Sequence, residues 1–143
     1  MAQNVIVPII DLTSAAEGST VPEILQTALA FGSQTAFTAT TAGVTIANTA
    51  GFYRVIGTMN TYSSGKCTIE MSDGFSTKII YALQGEAGIA TTDSVNYDFV
   101  FFLAAGQSLI VKLSSTVARQ FGSIRQIADV NGTLVNPSGF SPQ

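Results

Sequence analysis

From residue 35 onward, apolar and polar positions alternate, and turn residues break the alternation about every ten positions. Residues 52–61 read as a strand closed by Ser63-Ser64-Gly65. Residues 66–72 form the next, ending at Asp73-Gly74, a dipeptide suited to the positive φ angles of a hairpin turn. Residues 76–84 end in Gly85-Glu86-Ala87-Gly88, and residues 95–103 in Ala104-Ala105-Gly106-Gln107. Residues 108–116 lead through a loop to 123–130, closed by Asn131-Gly132. Two shorter strands are predicted at 35–41 and 44–47, with Asn48-Thr49-Ala50-Gly51 as the turn that follows. Short strands at such spacing predict an all-β protein, an antiparallel β-sandwich or barrel.

In the stretch 95–113 the alternation has an unusual consequence. Val95, Tyr97, Phe99, Phe101 and Leu103 share one face of a strand, and Leu109, Val111 and Leu113 one face of the next. The opposite faces carry Asp98, Lys112 and Ser114, but also Val100, Phe102 and Ile110. A hairpin apolar on both sides is expected to lie between two sheets or against a neighbouring subunit. Asp98, among aromatic residues, is expected to pair with Arg54 or Lys112.

The first third reads differently. Thr20-Val21-Pro22-Glu23 has capping-box spacing, which would start a helix. Leu25, Thr27, Leu29 and Phe31 instead alternate as a strand, the better match for 21–31. Residues 4–10 are apolar and extended, with Pro8 suited to an edge or an arm. The expected organisation is an extended N-terminal arm over 1–20, one sandwich domain over 21–135 and a tail over 136–143.

Composition narrows the function. Only 15 of 143 residues are charged, 6 basic and 9 acidic, against about a quarter in ordinary soluble domains. No charge occurs from Ile24 to Tyr53, so much of the surface is expected to be covered. The scattered cations and net charge of −3 argue against nucleic acid as a partner. The N-terminus lacks a basic segment and reaches Asp11 too soon for a signal peptide. The most apolar stretch contains Asp98, Gly106, Gln107 and Lys112, unlike a membrane helix. A membrane barrel would want aromatic girdles and a more charged lumen, so no membrane partner is expected. Asn131-Gly132-Thr133 matches a glycosylation sequon but is read as a turn.

Candidate chemistry is sparse. The chain has no histidine, which removes the usual triads, and with a single cysteine it cannot build a structural zinc site. Cys67 falls on the apolar phase of its strand and is expected to be buried. The pairs Asp93/Asp98 and Glu70/Asp73 lack the dense oxygen ligands of a calcium loop. Without tryptophan there is no sugar platform for a carboxylate pair, and Gly85-Glu86-Ala87-Gly88 lacks the lysine of a phosphate loop. No enzyme activity, cofactor, metal or small-molecule ligand is expected.

The runs Asn48-Thr49-Ala50-Gly51-Phe52-Tyr53-Arg54-Val55-Ile56-Gly57 and Phe101-Phe102-Leu103-Ala104-Ala105-Gly106-Gln107-Ser108-Leu109 resemble strand-start and penultimate-turn patterns of compact jelly rolls. The chain is similar over about residues 35–135 to trimeric decoration (cement) proteins of tailed-phage heads, and more loosely to the complement C1q and tumour-necrosis-factor group. That resemblance implies a jelly-roll homotrimer on the outer capsid surface of a virion, bridging the major capsid protein. On that reading Phe99, Val100, Phe101, Phe102 and Ile110 would form the trimer interface. The arm residues Val5, Ile6, Val7, Ile9 and Ile10 would contact the capsid or a neighbour's sheet edge. The alternative is a tail or fibre-tip module that binds a glycan through Tyr62, Asp73, Gln84 and Glu86.

Overall fold

The computed structural model describes residues 34–135. The arm, the segment read at 21–31 and the tail lie outside them. Eight strands follow in order: β1 (Gln34–Thr38), β2 (Val44–Ala47), β3 (Gly51–Tyr62), β4 (Lys66–Ser72), β5 (Thr77–Gln84), β6 (Thr92–Leu103), β7 (Ser108–Leu113) and β8 (Ala118–Ala128). They build two antiparallel sheets, β1-β8-β3-β6 (sheet I) and β2-β7-β4-β5 (sheet II). Only β4 and β5 are both consecutive and paired; every other connection changes sheet. Eight strands arranged this way form a jelly roll, the expected all-β class.

Alternation explains why these segments pair. Val55 and Met59 of β3, Ile69 of β4, Leu103 of β6, and Leu109 and Val111 of β7 are fully buried between the sheets. Each points inward on the period-two rhythm that sends its neighbours outward. Cys67 is buried among them, and its thiol donates towards the Asn60 and Arg119 carbonyls on the facing sheet, at 3.5 and 3.3 Å. Burial pushes its pKa up, opposed by those two hydrogen bonds.

The expected hairpin over 95–113 is corrected. β6 lies in sheet I and β7 in sheet II, joined by a turn in which the Gln107 side chain accepts from the Ala104 amide at 2.9 Å. A strand apolar on both faces looks alike whether its successor pairs with it or crosses the sandwich. Pattern alone therefore could not choose.

The β4–β5 hairpin is closed by a four-residue loop. Gly74 adopts φ +88°, and Asp73 Oδ1 accepts the Phe75 and Ser76 amides at 2.9 and 2.7 Å. Those donors, Ser76 first, hold the Asp73 carboxyl below the usual carboxylate range. A carboxylate gripped by two amides fixes the loop without any packing beneath it.

Candidate assembly surface

β6 and β5 are edge strands of the two sheets and flank the same side of the sandwich, where Tyr81 of β5 meets Phe99 of β6 at 4.7 Å between rings. Phe99 also contacts Tyr97 at 5.9 Å and Phe101 at 5.7 Å, making an aromatic seam. Tyr97 is buried, whereas Tyr81, Phe99 and Phe101 are only half-buried. Around that seam Val100 is 60% and Phe102 46% exposed, and Ile79 and Ile80 are exposed on β5. An edge with open ladder groups and apolar side chains is what soluble monomers ordinarily avoid.

The five residues expected at one interface are thus divided. Val100 and Phe102 point outward from sheet I, Phe102 against Phe52 at 4.8 Å between rings. Phe99 and Phe101 point inward to the seam, since the register sets them opposite Val55 and Tyr53. Ile110 points outward from sheet II, opposite Glu70, away from the other four. Strict alternation forces this split, so the five residues expected at one interface do not share a face of the sandwich.

Sequence reading missed Ile79 and Ile80. Alternation along β5 would turn one of them inward, but the pairing with β4 shifts register between Ile69 and Glu70. Ile80 is the extra residue, and both isoleucines stay exposed. The visible signal was the doublet itself, because a bulge is the means by which an edge strand breaks phase.

Outward side chains of β3 and β6 pair in polar rungs. Asn96 accepts from Thr58 at 2.7 Å, and Ser94 contacts Asn60. Arg54 donates two hydrogen bonds to Asp98, at 2.9 and 2.6 Å, which makes Arg54 the partner of Asp98 rather than Lys112. Those hydrogen bonds are the main cause that lowers the Asp98 pKa and raises that of Arg54. Both side chains are about half exposed, so the pair orients this face more than it stabilises it.

The residues named for a glycan-binding module do not converge. Tyr62, Gln84 and Glu86 lie at the end of the sandwich where β3 and β5 finish, and Asp73 lies at the opposite end, where β4 finishes. Near Asp73 the Phe75 side chain is fully exposed, held out by the braced loop. Among the described residues no three His, Cys, Asp or Glu side chains gather as metal ligands, and no helix is long and apolar enough to cross a membrane. The arm residues Val5, Ile6, Val7, Ile9 and Ile10 lie outside the described residues.

A jelly roll with an apolar, unpaired edge defines a structural module suited to packing against other protein surfaces. No protein-family model matches the chain, and no curated protein matches it significantly. Among solved structures it is similar to a pentameric capsid protein isolated from metagenomic phage sequences. Identity is 34%, over 95% of this chain and 85% of that one, with a TM-score of 0.67. A second structure of the same description gives 34% identity over 95% and 87%, with a TM-score of 0.66. The Eiger tumour-necrosis-factor protein of S. frugiperda is more distant, at 15% identity over 66% and 68% and a TM-score of 0.41. The chain belongs to the family of those phage capsid proteins. It is a viral structural protein of the virion.

Proposed function

We propose that this chain is a decoration protein of a phage head that assembles as a homopentamer and braces the major capsid protein from the outer surface. The observation that carries the reading is the 34% identity, over 95% of the chain, to a capsid protein that is itself pentameric. The resemblance seen in the sequence implied a trimer; the pentameric relative favours five copies instead. A cyclic ring needs a head-to-tail contact, in which one patch meets a different patch on the next copy. The outer face of β6 at the sheet edge, with Val100 and Phe102, supplies one such patch. A fivefold ring matches the symmetry of an icosahedral vertex, so its place would be a vertex of the head.

Light scattering on the purified full-length chain tests the copy number. Five copies of 14.9 kDa give about 75 kDa, whereas a trimer gives about 45 kDa. A trimer or a monomer at micromolar concentration would sink the pentamer. Imaging of heads mixed with the chain tests the placement: added density at the vertices is expected, and bare heads would remove the decoration role.

A further inference from the structure

Four loops lie at one end of the sandwich. Ser72 of β4 pairs there with Ser108 of β7, and the turn 104–107 joins Ser108 to Leu103, which pairs with Gly51 of β3. Ala128, the last residue of β8, pairs with Phe52 at the same end. Residues 48–50, 73–76, 104–107 and 129–134 therefore face one way. Each loop is pinned by a side chain. The Tyr53 hydroxyl donates to the Thr49 carbonyl at 2.9 Å, and the Gln107 side chain accepts the Ala104 amide. Asp129 repeats the device of Asp73: its Oδ1 accepts the Asn131 and Thr133 amides at 2.8 and 2.9 Å. Loops held this way lose little freedom when they meet a partner.

What this end presents is apolar. The four loops contain no Lys, Arg or Glu, and both of their carboxylates are engaged by amides of their own loops. Phe75 is fully exposed on the first braced loop, and Val130 is half exposed on the second. One phenyl ring buries about 150–250 Å², well short of the roughly 1,000 Å² that a specific contact needs. A cyclic ring of copies changes that sum, because its symmetry sets every Phe75 at the same height about one axis. Five such side chains reach about 1,000 Å² together. Anchors in one plane suit a lattice that repeats its own pocket about the same axis, rather than a single neighbouring chain.

We propose that this end of the sandwich is the face the ring turns towards the shell, with Phe75 of each copy seated in an apolar pocket of the major capsid protein. The proposal rests on the decoration reading and names the surface that carries it out. The pocket takes one phenyl ring and needs no charged group, since the loops around Phe75 offer none free.

The test mixes the full-length chain with heads of its phage assembled without it and measures attachment by co-sedimentation. Phe75→Ser should keep the mass and Tm of the native ring yet weaken attachment on the order of a hundredfold or more, because each lost contact is repeated around the ring. Ile89→Ser, on the loop 85–91 at the opposite end, should attach as the native chain does. Undiminished attachment of Phe75→Ser would overturn the proposal and leave the decoration role standing. A native chain that does not attach would remove both. A lower ring mass in Phe75→Ser would assign the anchor to a neighbouring copy. Binding of the native chain to phosphatidylcholine vesicles, abolished by Phe75→Ser, would assign it to a lipid surface. Either result would also overturn the proposal.

Discussion

Gly57 of β3 stands directly opposite Gly122 of β8, and the hydroxyl end of the Tyr97 ring lies over the bare backbone of Gly57. A methyl group on Gly57 would come 2.4 Å from the Phe121 carbonyl oxygen and 2.5 Å from the Tyr97 hydroxyl. On Gly122 it would meet the Ile56 carbonyl at 2.1 Å. Paired glycines let two strands and an aromatic ring share one narrow place in the sandwich. Neither was singled out in the sequence, where Gly122 fell in the loop before the strand read at 123–130.

Gly57→Ala is therefore expected to destabilise by about 1–3 kcal/mol, the usual cost of forcing atoms into a packed core. For a domain of this size the Tm should fall roughly 3–10 °C. Tyr97→Phe added to Gly57→Ala should recover part of the loss, because it removes the hydroxyl but not the carbonyl clash. Calorimetry on the three chains decides; additive losses would contradict the shared contact.

Tyr97 also makes stability fall in strong base. Its pKa is pushed up to about 12, chiefly by burial, although the hydrogen bond with Gln120 opposes the rise. The unfolded phenol titrates near 10, so the folded state holds the proton longer. The contribution is complete below about pH 10 and is lost as pH rises through about 12, amounting to roughly 2–3 kcal/mol. Denaturant melts at pH 9 and 12 should show a steeper loss for the native chain than for Tyr97→Phe.

The Arg54–Asp98 pair works in the opposite direction. The folded Asp98 pKa is depressed, so its contribution is present above the unfolded value near 4 and is lost as pH falls through the folded value. Asp98→Asn should cost about 0.2–1 kcal/mol at neutral pH, since the pair is half exposed and screened by salt. Raising ionic strength should shrink the difference between the two chains. A salt-independent difference would point to packing in place of charge.

Cys67 should be inert in the folded protein. Its thiol is fully buried, with burial raising its pKa, and a reagent can reach it only through opening of the sandwich. Labelling by a thiol reagent should track denaturant concentration as global unfolding does. Fast labelling in native buffer would contradict the burial.

At the edge, Phe102→Asp should lower the mass of the assembly without changing the far-ultraviolet spectrum of the chain. It puts a carboxylate where apolar contact is proposed, which costs several kcal/mol if no partner charge is present. Phe75→Ser, on the fully exposed loop at the sandwich end, should leave both the mass and the Tm unchanged. An intact assembly in the edge variant would move the subunit contact away from the outer face of β6.

The strands were legible because alternation and turn residues are local. β4 at Lys66–Ser72 and β2 at Val44–Ala47 match the sequence reading end to end, and Cys67 is buried as its phase required. The sheet assignment of each strand was not legible. β6 and β7 show the reason: apolar residues on both faces leave the partner unspecified, and the choice is made by tertiary packing. The candidate assembly surface was half legible. Val100 and Phe102 break the polar phase visibly, but Phe99 and Phe101 belong to the seam, and Ile79 and Ile80 depend on a register shift that no local pattern encodes.

The strand order also bears on when this surface comes into being. The β4–β5 hairpin is local and can close early, but sheet I needs β8, the last of the described strands, to enter between β1 and β3. The β1–β8 ladder joins Gln34 to Arg125, a separation of about ninety residues, and such long-range pairing makes folding slow. A chain still emerging from the ribosome therefore cannot complete the sheet whose edge carries Val100 and Phe102. Association through that edge, as proposed, would wait until β8 has been made, which would protect a sticky edge from meeting unfinished copies of itself.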